Sequence, residues 1–159
     1  MLLWFVGASM ALVWIVFQSP ALDYRLVAGG SLLPLLDGVT GGPFVLHALL
    51  ASVVLLAAVM LTTRRRRLVR RRWLGIPIGT FLHLVLDGAW MRSALFWWPF
   101  LGGDAFDGRL PELDRSPFLV VALEVAGVAA LAWLWQGFGL GDHVSRRRFL
   151  TTGQLPRVR

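Results

Sequence analysis

His83 and Asp87 stand four residues apart in the run Thr80-Phe81-Leu82-His83-Leu84-Val85-Leu86-Asp87. On an α-helix that spacing puts an imidazole and a carboxylate on one face, with Thr80 just behind them. Two such groups can share a divalent metal, or hydrogen-bond each other as a base and its orienter. His47 and Glu124 are the other ionisable residues inside apolar stretches. In hydrocarbon such residues cost about 2.5–3.5 kcal/mol each on insertion scales, which makes them functional candidates. Polar residues also hydrogen-bond one membrane helix to another. That plainer role competes for His47 and more strongly for Glu124. For His83 and Asp87, with His47 at matching depth, a metal or catalytic site is favoured.

The surroundings of these residues are apolar. Of the 159 residues 57% are hydrophobic and 16% charged, whereas soluble domains carry about 25% charge. All 16 basic residues are arginine. Most fall in two clusters, Arg64 to Arg67 with Arg70 to Arg72, and Arg146 to Arg148 with Arg157 and Arg159. The net charge of +7 does not indicate a nucleic-acid partner. No recognition motif accompanies the arginines, and they flank apolar spans, where basic residues orient helices and meet anionic lipid. The absence of cysteine excludes disulfides, thiolate metal sites and cysteine nucleophiles.

Four segments approach the length needed to cross about 30 Å of hydrocarbon: residues 2–17, 43–62, 73–98 and 117–138. The first has no basic residue before it and no A-x-A-like site after it, so it reads as a retained span rather than a cleaved signal. The segment 25–36 is too short to span and is broken by Gly29, Gly30 and Pro34. It reads as a re-entrant or interfacial helix. The expected fold is therefore an all-α integral membrane protein. Residues 1–142 form a single bundle of about four transmembrane helices, and residues 143–159 form a basic cytoplasmic tail. The positive-inside rule puts residues 64–72 and the tail in the cytoplasm of a cell (inner or plasma) membrane. Working backwards places the N-terminus in the cytoplasm too, with residues 18–42 and 101–116 outside. Trp90, Trp97 and Trp98 then fit an outer aromatic belt.

Depth links the elements to the chemistry. Asp87 lies about 22 Å up its helix from Arg72, and Glu124 roughly 10 Å inside the fourth span. His47 sits four residues inside the second span. Asp23 and Asp37 bracket the re-entrant segment on the same outer side, and Arg25, which opens it, is a candidate for gripping a phosphate or carboxylate. His143 reads as solvated, and Arg92 as reaching to the outer surface.

These residues resemble a known family. His83-Leu84-Val85-Leu86-Asp87 followed by Phe96-Trp97-Trp98-Pro99-Phe100 resembles the H-L-x-x-D … W-P-F signature of the YdjM-like membrane-bound metal-dependent hydrolases. The run from Asp23 through Arg25 and Pro34 to Asp37 is similar to that family's D-x-R-x(5)-S-L-x-P-D-x-x-D segment. His47 with Ala48-Leu49-Leu50 is similar to the end of its H-R-x-x-T-H-S-L-L element. The resemblance covers about residues 21–103. It implies a membrane helix bundle with a metal site in which Asp23, Asp37, His47, His83 and Asp87 are ligands or catalytic groups. Leu35 stands where the family has Asp, and only one of its two histidines precedes the second span, so one metal is expected rather than two.

The leading expectation is a metal-dependent hydrolase acting on a lipid or lipid-linked substrate near the outer membrane face. His47, His83 and Asp87 would hold one divalent ion, with Asp37 or Asp23 completing it or acting as base and Arg25 steadying the substrate anion. Ligands of this type suit Zn, Mn or Fe. The alternative is a non-enzymatic membrane scaffold or regulatory subunit with a membrane protein partner. A small transporter ranks third, since no inverted repeat accompanies the Gly/Pro-interrupted segment.

Overall fold

The structure, a computed structural model, describes residues 1–40, 45–100 and 115–155. Every described regular element is helical, so the all-α expectation holds. Helix α1 covers Leu2–Phe17, α2 Tyr24–Leu32, α3 Leu35–Thr40, α4 Leu49–Thr62, α5 Arg67–Trp73, α6 Gly75–Asp87, α7 Ser93–Phe96, α8 Pro117–Gly137 and α9 His143–Thr152. Short 3-10 turns occupy Val45–His47 and Ala89–Met91.

Local chemistry explains the boundaries. Ser116 caps the N-terminus of α8 by accepting from Leu119 N–H, and Pro117 opens its first turn, where a missing N–H costs nothing. Asp142 caps α9 in the same way, accepting from Val144 and Ser145 N–H. The span expected over 73–98 is not one helix. It ends at Asp87, because Gly88 adopts a left-handed conformation with φ 73°, the usual helix stop. The expected span over 43–62 is helical only from Leu49, and Pro43 lies outside the described residues, as does most of the acidic loop 101–116. Among the described residues, helix α8 alone is long and apolar enough to cross a membrane by length and composition; α1 and α4 are apolar but shorter.

Helices α2 and α6 run parallel in close register. Gly75 lies against the Asp23 carbonyl, Gly79 against Val27 and Ser31, and Gly30 against Ile76. Thr80 Oγ1 donates to the Gly30 carbonyl at 3.1 Å. Helices α1 and α8 cross just as tightly, with Gly7 on Gly127 and Gly127 on the backbone of Leu3 and Trp4. Small residues at such crossings let backbones touch, as in membrane bundles.

The bundle has two chemically distinct ends. At one, the Met1 ammonium pairs with Glu124 at 3.1 Å, and Arg115 reaches Met1 Sδ and Asp87. At the other, Trp14 packs edge-on against Phe138, Arg72 pairs with Asp23 at 2.8 Å, and the Gly153 carbonyl accepts from Tyr24 N–H at 2.8 Å. Two of the expected positions are therefore corrected. The N-terminus lies at the end opposite Arg72 and α9, and Asp23 lies at the same end as the arginines rather than across the bundle from them. The physical reason is that α2 and α3, joined at Leu33–Pro34, carry the chain back along α6. The interrupted segment thus acts as a leg of the bundle, and the chain reverses once more than four spans allow.

Candidate metal centre

His83 and Asp87 share the inner face of α6, both buried. His47 closes the 3-10 turn ahead of α4, and this turn brings its ring to His83, with ring centroids 5.3 Å apart at 81°. One ligand atom from each of His47, His83 and Asp87 lies within 4.8 Å of the other two. Donors sharing a zinc ion sit about 3–4 Å apart, so a contraction of about an Ångström would close the set around an ion. These three residues could hold a metal.

The hydrogen bonds around the rings decide which atoms are offered. His83 Nδ1 lies 2.7 Å from the Ser31 carbonyl. A carbonyl only accepts, so Nδ1 carries the hydrogen, and the neutral ring presents a lone pair at Nε2. His47 Nδ1 lies 3.1 Å from Asp37 Oδ2, which also accepts from Leu46 N–H at 2.8 Å. The same logic frees His47 Nε2. Both Nε2 atoms and Oδ2 of Asp87 are buried and lack a hydrogen-bond partner, while Oδ1 has only the Arg115 guanidinium beside it. Burying polar atoms unmatched is costly, and here three of them gather in one place. Phe5, fully buried, stacks on the His83 ring with centroids 3.9 Å apart and fixes its plane. Metal-binding histidines are oriented in this way, with the second ring nitrogen donating to a carbonyl or carboxylate.

Compared with known protein families, curated proteins and solved structures, the chain matches none.

The other predicted site residues separate into two groups. Asp37 is beside the centre but turned towards His47 and Leu46, so it orients a ligand instead of facing the ion. Asp23 and Arg25 are not at the centre. Asp23 caps α2 and pairs with Gly75 on α6, two turns or about 12 Å below His83. Its carboxylate is almost fully buried and takes hydrogen bonds from Arg25 and Arg72. Burial pushes that carboxyl up, but the two guanidiniums outweigh it and hold it below the usual carboxylate range. Arg25 also donates to the Leu150 carbonyl. Together they lock the start of α2 to α5 and α9, a structural role. Glu124 is likewise engaged, by Met1 and by Leu3 N–H.

Arg115 is the site residue that sequence reasoning missed. Its Nη2 lies 3.2 Å from Asp87 Oδ1 and donates to the Asp87 carbonyl. The available signal was an arginine directly ahead of the Ser116–Pro117 helix start, at the depth assigned to Asp87.

Proposed function

We propose that this protein is a multi-pass membrane protein whose His47, His83 and Asp87 hold one divalent ion and hydrolyse a lipid or lipid-linked substrate near the outer membrane face. The observation that carries the reading is the set of three unpartnered buried atoms, His47 Nε2, His83 Nε2 and Asp87 Oδ2, with both imidazoles held in the metal-ready tautomer. The resemblance of residues 21–103 to the YdjM-like hydrolases points the same way. A divalent ion would supply Lewis acidity and a water acidic enough to act as nucleophile near neutral pH. The chain's own residues do the positioning: Asp37 holds His47, the Ser31 carbonyl holds His83, and Phe5 excludes water from one ring face.

The membrane reading rests on an inverted distribution of polarity. Val53, Leu61, Phe118, Val121 and Val125 are exposed, while Ser9, Ser31, Thr80 and the three candidate ligands are buried. An apolar exterior of this extent suits lipid. An apolar groove of about 490 Å³ between α1, α4 and α6, lined by residues such as Val16, Leu49, Leu56 and Phe81, suits acyl chains. With the arginine end in the cytoplasm, α1, α4, α6 and α8 cross the bilayer, α2 and α3 rise beside α6, and the N-terminus lies outside. Topology reporters fused ahead of Met1 and after Thr151 should therefore report opposite sides. Finding both on one side would overturn this arrangement.

The deciding experiment is metal analysis of the detergent-purified protein, wild type against His83→Ala. Wild type should carry one Zn, Mn or Fe ion per chain, and the variant should carry none. Equal content in the two, or no metal in the wild type, would overturn the hydrolase reading. The second reading is a scaffold or regulatory subunit with a membrane protein partner. The Arg115–Asp87 ion pair favours it, because that pair could neutralise Asp87 without any ion.

A further inference from the structure

We infer that Arg115 is an anion-recognition residue, and that the substrate class of this site is a phosphate ester rather than a neutral acyl ester. This rests on the hydrolase reading above. Arg115 borders the site on its less buried side: its side chain is 15% exposed, whereas that of Asp87 is fully buried. One side of the guanidinium faces Asp87. The contacts of Nη1 among the described residues include only a weak acceptor, Met1 Sδ at 3.5 Å. A guanidinium carries five donors in a rigid fork matched to phosphoryl oxygens, and the contact with Asp87 engages only Nη2.

Charge makes the same argument independently. Among the described residues, a divalent ion and Arg115 together outweigh the two carboxylates present, Asp87 and Asp37, and each histidine offers a neutral ring to the ion. Glu124 cannot offset this excess, because the Met1 ammonium already pairs with that carboxylate. A buried site left with net positive charge is stabilised by an anionic ligand. A phosphoryl group with one oxygen on the ion and another on Arg115 supplies that charge, and a neutral acyl ester does not. Arg115 also sits on the outer side of the ion, where a lipid headgroup would lie with its chains directed into the bundle's apolar flank.

The test uses the full chain in detergent micelles, comparing wild type, Arg115→Gln and Arg115→Lys. Zinc content is measured first, then binding of orthophosphate and of a short-chain phosphatidate by calorimetry. The inference expects all three proteins to hold zinc equally. Phosphoryl binding should fall about 10- to 100-fold in Arg115→Gln, the range for losing a charged hydrogen-bond partner. Arg115→Lys should lie between, since lysine keeps the charge but not the fork. Phosphatidate binding more tightly than orthophosphate assigns the site to lipid headgroups, and equal affinity assigns it to free phosphate. Unchanged phosphoryl binding in Arg115→Gln overturns the inference while leaving the metal site standing. Loss of zinc in Arg115→Gln also overturns it, making Arg115 a support for Asp87. If the wild type takes up none of Zn, Mn or Fe, the hydrolase reading itself falls, and Arg115 is then only the counter-ion of Asp87.

Discussion

Protein carrying Asp87→Asn is expected to insert, fold and accumulate like the wild type, yet to bind no divalent metal and to fail in complementing a deletion strain. Asparagine matches aspartate in size and keeps a carbonyl oxygen for hydrogen bonding, but it lacks the negative charge that a divalent ion needs. Changes one shell out from a metal typically cost 10–100-fold in affinity, so loss of a direct carboxylate ligand should exceed 100-fold. Arg115 loses its ion-pair partner in this variant. Its side chain is partly exposed and can rehydrate, so folding should suffer little. If Asp87 only joins helices, the amide should serve almost as well, since such membrane hydrogen bonds average about 0.6 kcal/mol. Membrane levels, metal content and complementation are measured together. Full complementation by Asp87→Asn at normal levels would sink the enzymatic reading.

The contrast between α6 and α2 shows what the sequence could reveal. His83 and Asp87 were legible because they lie on one uninterrupted helix, where a spacing of four places both on one face without help from the rest of the fold. Helices α1 and α8 were equally legible, since each is a single apolar run with clear stops. His47 was placed by depth alone. Its agreement with His83 depends on the Val45–His47 turn, which no periodicity announces.

Asp23 and Arg25 were misplaced for a topological reason. A 12-residue segment broken by Gly29, Gly30 and Pro34 fails the length test for a span, so the sequence alone predicts that the chain stays on one side. In the fold, two short helices in series do the work of one leg, because their broken backbone packs on α6 rather than on lipid. That extra leg inverts the position of everything before it, including the N-terminus. The arginine clusters carried no information about this, because both lie after the break. Arg115 escaped notice because its partner is a backbone carbonyl and a carboxylate on another helix, a contact that only the tertiary fold creates.

The second large effect is expected at Gly79, where the fold and the site depend on one contact. A Cβ at this position would run into the Val27 carbonyl and the Ser31 backbone N of α2. Both obstacles are main chain, which cannot swing aside as a flexible side chain does, so Gly79→Leu must push α2 away from α6. The bond from Thr80 to the Gly30 carbonyl and the bond from His83 to the Ser31 carbonyl cross this same interface. Both should break together, leaving His83 without the partner that fixes its tautomer. Overpacking usually costs 1–3 kcal/mol, and with no side-chain relief the loss here should be about 3 kcal/mol or more. Gly29→Leu is the control: Gly29 lies on α2, the other helix of this pair, is exposed, and would meet nothing within 4 Å. Thermal unfolding in detergent and metal content should fall sharply for Gly79→Leu and barely change for Gly29→Leu. Equal losses in the two would mean that a bulky residue anywhere near α2 is disruptive, and that the parallel packing of α2 on α6 does not organise the site.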